Sequence, residues 1–267
     1  MRLALAVLTI FVITAIFAPE IAPYDPRVTP QSDTQKNLAP TAAHPFGTDG
    51  FSRDVMSRVI YGSRVSLGVA AAAVLLALTL GAAVGATAGY TGGITDVICM
   101  RVVDAMMSVP RVLLLIVIVA STGPLTVPGL VLLLGFTGWA TTSRIVRAEV
   151  RALKERDFVL ASRAVGSPEW RVFTAHVLPA IVPQLLVMAT LALATVIPLE
   201  AGLSFLGLGV QPPTASWGNI ISDAAERPGE TWWVVLFPGL AVVCTVLAVN
   251  AIGERLTASV ERRRAQT

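Results

Sequence analysis

The chain has 267 residues, 54% of them apolar and only 14% charged, against about 25% charged in ordinary soluble domains. So little charge excludes a soluble globule of this length, and a net charge of +3 argues against a basic nucleic-acid groove. Cys99 and Cys244 stand alone in apolar stretches, which excludes a disulfide scaffold and a cysteine metal site.

Uncharged runs mark candidate membrane helices, because a bilayer core about 30 Å thick takes about 20 helical residues. The first is Leu3 to Pro19, read as a transmembrane helix over residues 1–18 because no small-x-small cleavage site ends it. Residues 19–64 follow as an outer loop. Within it, Val55, Met56, Val59 and Ile60 share one helical face and Arg53, Asp54, Ser57 and Arg58 the other. That pattern predicts an amphipathic surface helix, serving either as a lead-in to the next span or as a docking surface. Residues 65–267 form the core. Val65 to Thr95 holds one helix, closed by Gly89-Tyr90-Thr91-Gly92-Gly93. Arg101 and Asp104 are three apart on one face and are expected to form an intrahelical ion pair near the inner interface. Arg111, beside Pro110, must pair or snorkel. Val112 to Ser143 is too long for one span and carries Ser121-Thr122-Gly123-Pro124, so a two-helix hairpin is expected. Val172 to Leu199 and Thr231 to Gly253 complete six transmembrane helices in an all-α polytopic membrane protein.

Two connections carry more information than a linker needs. Ala201 to Ser222 is uncharged but holds Gln211, Pro212, Pro213 and Asn219, so it reads as part of an outer loop over residues 203–230 and not as a span. Glu200 lies about 31 Å of helix beyond Pro179, near the outer boundary, and is a candidate for the outer gate. The loop over residues 144–171 is the longest on the other side. It carries Phe158, Val159, Leu160 and Val165 among charges, then Gly166 where a helix ends, then Ser167-Pro168-Glu169 as the cap, first-turn Pro and carboxylate of another helix. This helix, glycine elbow, helix pattern needs a protein surface to cover its apolar side chains. With both termini inside, fourteen of the 20 Lys and Arg, Arg101 and Arg111 included, fall on the inner side. Six fall outside: Arg27, Lys36, Arg53, Arg58, Arg64 and Arg227. Cytoplasmic termini are therefore expected.

Leu160-Ala161-Ser162, Gly166 after three residues, and His176-Val177-Leu178-Pro179 after nine more resemble the EAA loop of ABC importer permeases. His44-Pro45-Phe46-Gly47-Thr48-Asp49, the stretch Arg53 to Gly62, and Ala201 to Thr214 followed by Ser216-Trp217-Gly218 narrow the resemblance to the peptide/nickel branch, in particular its DppC/OppC-like C-type subunits. Leu160, Ser162 and His176 replace the usual Glu, Ala and Ile, and Arg111 stands where relatives usually carry a small residue. The resemblance implies a type I importer permease (MetI-like) fold and a half-transporter in the bacterial cytoplasmic membrane. It would pair with a homologous permease chain, with two ATPase subunits that hold ATP and Mg, and with an extracytoplasmic substrate-binding protein. Asp157, Ala161, Ser162, Ala164 and Gly166 would couple to the ATPases; Glu200, Ser204 and Trp217 would line the path or gate. Cargo could be dipeptide, oligopeptide, nickel chelate, haem or another solute.

The chain cannot be its own motor, since neither Lys36 nor Lys154 follows a glycine as a phosphate-binding loop requires. An intramembrane serine protease fails on geometry: Ser204 has Gly202 before it but Leu206, not Gly, after it, and neither histidine stands within a span. An autonomous ion-coupled carrier would need midplane ionisable residues and an internal repeat, and neither is evident.

Overall fold

The computed structural model describes residues 2–26, 35–225 and 229–264, with side chains to 262. Arg27, Arg227 and the side chains of Arg263 and Arg264, all used in the charge count, lie outside these residues. The described residues are helical, with one isolated bridge between Thr48 and Asp54 and no strand.

Helix α1 (Arg2–Ile16) is apolar on every side. At 15 residues it is about 22 Å long, shorter than a bilayer core, and a four-residue helix α2 (Ala18–Ile21), with Pro19 in its first turn, follows it. Helix α3 (Val55–Thr91, 37 residues) absorbs the segment expected to form a separate surface helix. Asp54 caps its start: the Oδ2 atom accepts the backbone N–H and the hydroxyl of Ser57, both at 2.7 Å. Gly92 and Gly93, at φ of 68° and 56°, end it. Helices α4 (Gly93–Ser108) and α5 (Arg111–Thr122) form one apolar pair bent by 79°. The bend follows from Pro110, which has no N–H to give and holds Val109 extended at φ −99°, ψ 129°.

Helix α6 (Val127–Lys154) carries straight on through the first third of the expected inner loop. The short helices α7 (Asp157–Ala164) and α8 (Glu169–Val172) follow. A π-helical turn (Phe173–Val177) then joins α8 to helix α9 (Leu178–Phe205). Helix α10 (Trp217–Asp223) opens with a capping box between Ser216 and Asn219. Helix α11 (Trp232–Arg264) closes the chain.

Four helices are long and apolar enough to span a membrane, and five spans result when the bent pair counts as one. Six were expected. The difference is α1, too short to be counted; the break at Val109-Pro110 leaves the number unchanged but makes α4 and α5 halves of one broken element where the hairpin reading started a new span at Val112.

The chain forms two compact units, each assembled from separated stretches. One comprises Met1–Ala72, Ile116–Val131 and Ala192–Ile252; its core centres on the fully buried Trp217, Ile220, Ile197, Val69 and Val55. The other comprises Ala73–Leu115, Leu132–Leu191 and Gly253–Thr267. Its core joins Ala86 of α3, Val146 and Val150 of α6, Val159, Val172, Val177 and Ile181. Small residues set the approach of α3 to α6 there. A Cβ on Gly81 would lie 2.5 Å from the Thr142 Cβ, one on Gly89 2.7 Å from the Arg147 carbonyl oxygen, and one on Gly85 would collide with the Ser143 carbonyl. Glycines four apart place one bare stripe along a helix, the pattern that lets membrane helices touch backbone to backbone.

Candidate functional site

The segment from Arg156 to Val172 is held by its underside and bare on top. Val159 and Val172 are buried, whereas Phe158 and Leu160 are exposed, Trp170 is 64% exposed and Val165 87%. Gly166 adopts φ +85° with nothing within 4 Å of where a Cβ would stand. Its N–H donates to the Arg163 carbonyl at 2.9 Å and the Ser167 N–H to Ser162 at 3.2 Å, closing the end of α7. The expected serine cap of the next helix is absent. Pro168, extended at φ −66° and ψ 146°, is the residue before α8, so the cap position falls one residue past Ser167 and no side chain fills it. Glu169 stands in the first turn as expected, but its carboxylate accepts from Tyr90 of α3 and from Arg163 of α7. Lys154 donates to the Tyr90 carbonyl at 2.5 Å. The elbow is thereby tied to α3 through the Tyr90–Glu169 bond, and to α3 and α6 through the buried Val159, Val172 and Val177. Asp157, Ala161, Ala164 and Gly166 are exposed along it and Ser162 is half-buried.

The three residues expected at the path or gate converge on one place, but a closed one. Glu200 and Trp217 are 0% exposed and Ser204 is 2%. The Ser204 hydroxyl donates to Glu200 Oε1 at 2.7 Å and accepts the Val210 N–H at 3.0 Å. Trp217 donates from its indole to the Val59 carbonyl at 3.1 Å and from its backbone to Ser66 Oγ at 3.2 Å. Asn219 donates to the Val210 and Thr214 carbonyls. These bonds fold the outer loop down onto α3 and α9. In this chain Glu200 therefore faces no open path. Its Oε2 is buried without a hydrogen-bond partner, and no basic side chain among the described residues is bonded to either oxygen.

The expected Arg101 and Asp104 pair does not form. Asp104 is bonded to Arg144 of α6 at 2.5 Å; Arg101 is exposed and has no ion-pair partner among the described residues. Spacing along α4 brought the two onto one face, but α6 lies against that face and supplies the nearer cation. About two turns earlier, Asp96 is held bidentately by Arg147, with Arg151 at 3.8 Å.

Two further sites escaped the sequence reading. Arg53 and Arg58, expected on a solvated face, are buried with Asp49 and Asp223. Arg53 bonds Asp49 and Asp223 at 2.7 Å each, and Arg58 bonds them at 2.6 and 2.5 Å. His44 adds a bond to Asp54 at 2.9 Å. The Asp49, Arg53, Arg58 spacing was the available signal; it lacked its partner Asp223, about 170 residues on. Arg111 was counted at the inner side and instead reaches α6 at Leu134 and Thr137. These residues lie about 10 and 15 Å along α6 from Val127, close to the middle of its charge-free stretch and far from its basic end.

A family model described as "binding-protein-dependent transport system inner membrane component" matches residues 77–266. The chain belongs to that family. A second model, the N-terminal transmembrane domain of oligopeptide transport permease C, matches residues 2–40. Among relatives, the dipeptide transport system permease protein DppC of Alkalihalophilus pseudofirmus is 37% identical over 252 residues, which is 94% of this chain and 82% of the relative. A "Putative peptide transport system permease protein" of Brucella suis is 39% identical over 255 residues, 96% of this chain and 85% of the relative. A "Putative peptide permease protein" of the same organism is 41% identical over 222 residues, 82% and 73%. The membership makes this chain a permease subunit of a transport system, with several apolar helices in the membrane. The elbow and the cluster around Glu200 are thus features of a permease.

Proposed function

We propose that this permease is one half of the pathway of an ATP-driven importer of dipeptides or oligopeptides across the bacterial cytoplasmic membrane. It pairs with a homologous permease chain, two ATPase subunits bind its cytoplasmic elbow, and an extracytoplasmic binding protein delivers cargo from the opposite side. The ATPases hold ATP and Mg and carry out the hydrolysis. Both termini are cytoplasmic.

The observation that carries the reading is the elbow over residues 157–170. Val165 and Trp170 project apolar surface away from a segment whose underside is locked into the core, and an exposed patch of this kind needs a partner. Ala161, Ala164 and Gly166 leave that surface low enough for close approach, and the bonds among Tyr90, Arg163 and Glu169 make it rigid enough to pass a push into α3 and α9. The peptide cargo is supported by the names of the relatives. Reconstitution tests the reading: proteoliposomes holding this chain, its partner permease and the ATPases are expected to accumulate labelled dialanine or trialanine only with ATP and binding protein. Accumulation of a nickel chelate or haem in place of peptide would overturn the cargo assignment.

A further inference from the structure

The Arg111 guanidinium stands at mid-depth in the membrane segments. Along α6 it is bonded at Leu134 and Thr137, and residues 127–143, the charge-free part of that helix, centre on Gly135. Along α3 the charge-free stretch is residues 65–91, centred on Leu78. Position 138 is bare: a Cβ on Gly138 would lie 3.0 Å from Arg111 Nη2 and 3.3 Å from the Ala77 Cβ. Both helices therefore place the cation near the centre of a core about 30 Å thick.

At that depth a cation is expensive and needs a partner. The described residues supply only neutral acceptors: the Leu134 carbonyl at 2.8 Å from Nη2 and the Thr137 hydroxyl at 3.3 Å from Nε. Arg111 belongs to no ion pair among the described residues. These two bonds hold Nη2 and Nε in place and leave Nη1 without a bonded acceptor among the described residues. A half-buried guanidinium in this position is costly against hydrocarbon, which favours an open side that meets a water-accessible path. It also opens α5 at the break from α4, where the first amides of the new helix have no preceding turn to bond. Broken helices that aim such ends at the midplane are how transporters meet anionic groups.

We propose that Arg111 is the point in the pathway that receives a carboxylate of the moving solute, making it a specificity-determining residue for transport. The proposal rests on the peptide-importer reading, in which every unmodified cargo molecule carries a terminal carboxylate. Leu134 and Thr137 position the guanidinium, and Gly138 leaves room for it. A charge-assisted bond at a half-buried guanidinium is worth enough to change transport by about ten-fold.

The test uses the complete reconstituted complex and two probes, trialanine and trialanine C-terminal amide, each supplied at a level that saturates the binding protein. Arg111→Gln keeps a donor for the Leu134 carbonyl but removes the charge; Arg111→Lys restores the charge. The expected result is fast uptake of trialanine and slow uptake of the amide by the wild type. Arg111→Gln should reduce trialanine uptake about ten-fold in maximal rate, change amide uptake less than about two-fold, and be largely rescued by Arg111→Lys. An equal fall for both peptides, or no fall for either, overturns the proposal. So does an Arg111→Gln chain that no longer co-purifies with its partner permease while Arg111→Lys does, since the carboxylate would then belong to the partner. Failure of the wild type to take up either peptide refutes the peptide reading itself, and this assignment with it.

Discussion

Gly166→Val tests the elbow most directly, because the structure separates its effect on folding from its effect on the contact. Gly166 sits at φ +85°, where a residue with a Cβ costs about 1 to 2 kcal/mol, and a β-branched one lies at the upper end of that range. No atom lies within 4 Å of the new Cβ, so no steric clash adds to the strain. A loss of this size is small beside the roughly 5 to 15 kcal/mol of a typical domain. The polar links from Tyr90 and Arg163 to Glu169 and the buried Val159 and Val172 remain. The chain is therefore expected to insert, melt within a few degrees of wild type and assemble. The added methyl groups stand on the exposed side beside Val165, in the surface assigned to the ATPases. Peptide uptake and the part of ATP hydrolysis stimulated by loaded binding protein are expected to fall together, by ten-fold or more. Gly166→Ala, with similar strain and less bulk, is expected to lose less of both. The assay is uptake and stimulated hydrolysis in the reconstituted complex, with co-purification of the ATPases as the control. Wild-type uptake by Gly166→Val in a fully assembled complex would refute the assignment.

Four further outcomes follow from the packing and the charges. Gly85→Ala is expected to lower the melting temperature in detergent clearly, by forcing α3 off the Ser143 carbonyl, whereas Gly68→Ala, with no atom within 4 Å, is expected to be neutral or slightly stabilising. Arg58→Ala leaves Asp49 without one of its two cations in a site 2% exposed and is expected to cost about 3 to 5 kcal/mol; Arg144→Ala opens a pair 48% and 49% exposed and is expected to cost less than about 1 kcal/mol. A double-mutant cycle is expected to find coupling between Asp104 and Arg144 and none between Asp104 and Arg101. In a chain freed of Cys99 and Cys244, Phe51→Cys is expected to react with an impermeant thiol reagent in intact cells and Val165→Cys not; the reverse would overturn cytoplasmic termini.

Local rules were enough wherever a residue's role depends on its own neighbours in the chain. The scarcity of charge made this a membrane protein, the apolar runs located α3, α6, α9 and α11, and the Gly166 elbow was legible because helix termination is set by backbone conformation within a few residues. Spacing also singled out Glu200, to which the resemblance added Ser204 and Trp217, and the fold buries the three together. Tertiary structure decided everything that turns on which helix lies opposite. Asp104 had a cation three residues away and found a different one across α6; Arg53 and Arg58 looked solvated until Asp223 closed over them; Arg111 moved from the inner edge to mid-depth because Gly138 leaves space for it. The physical reason is common to these cases. A charge in an apolar surrounding is governed by its nearest compensating group in space, and helix packing, set here by glycine stripes and a proline break, determines which group that is.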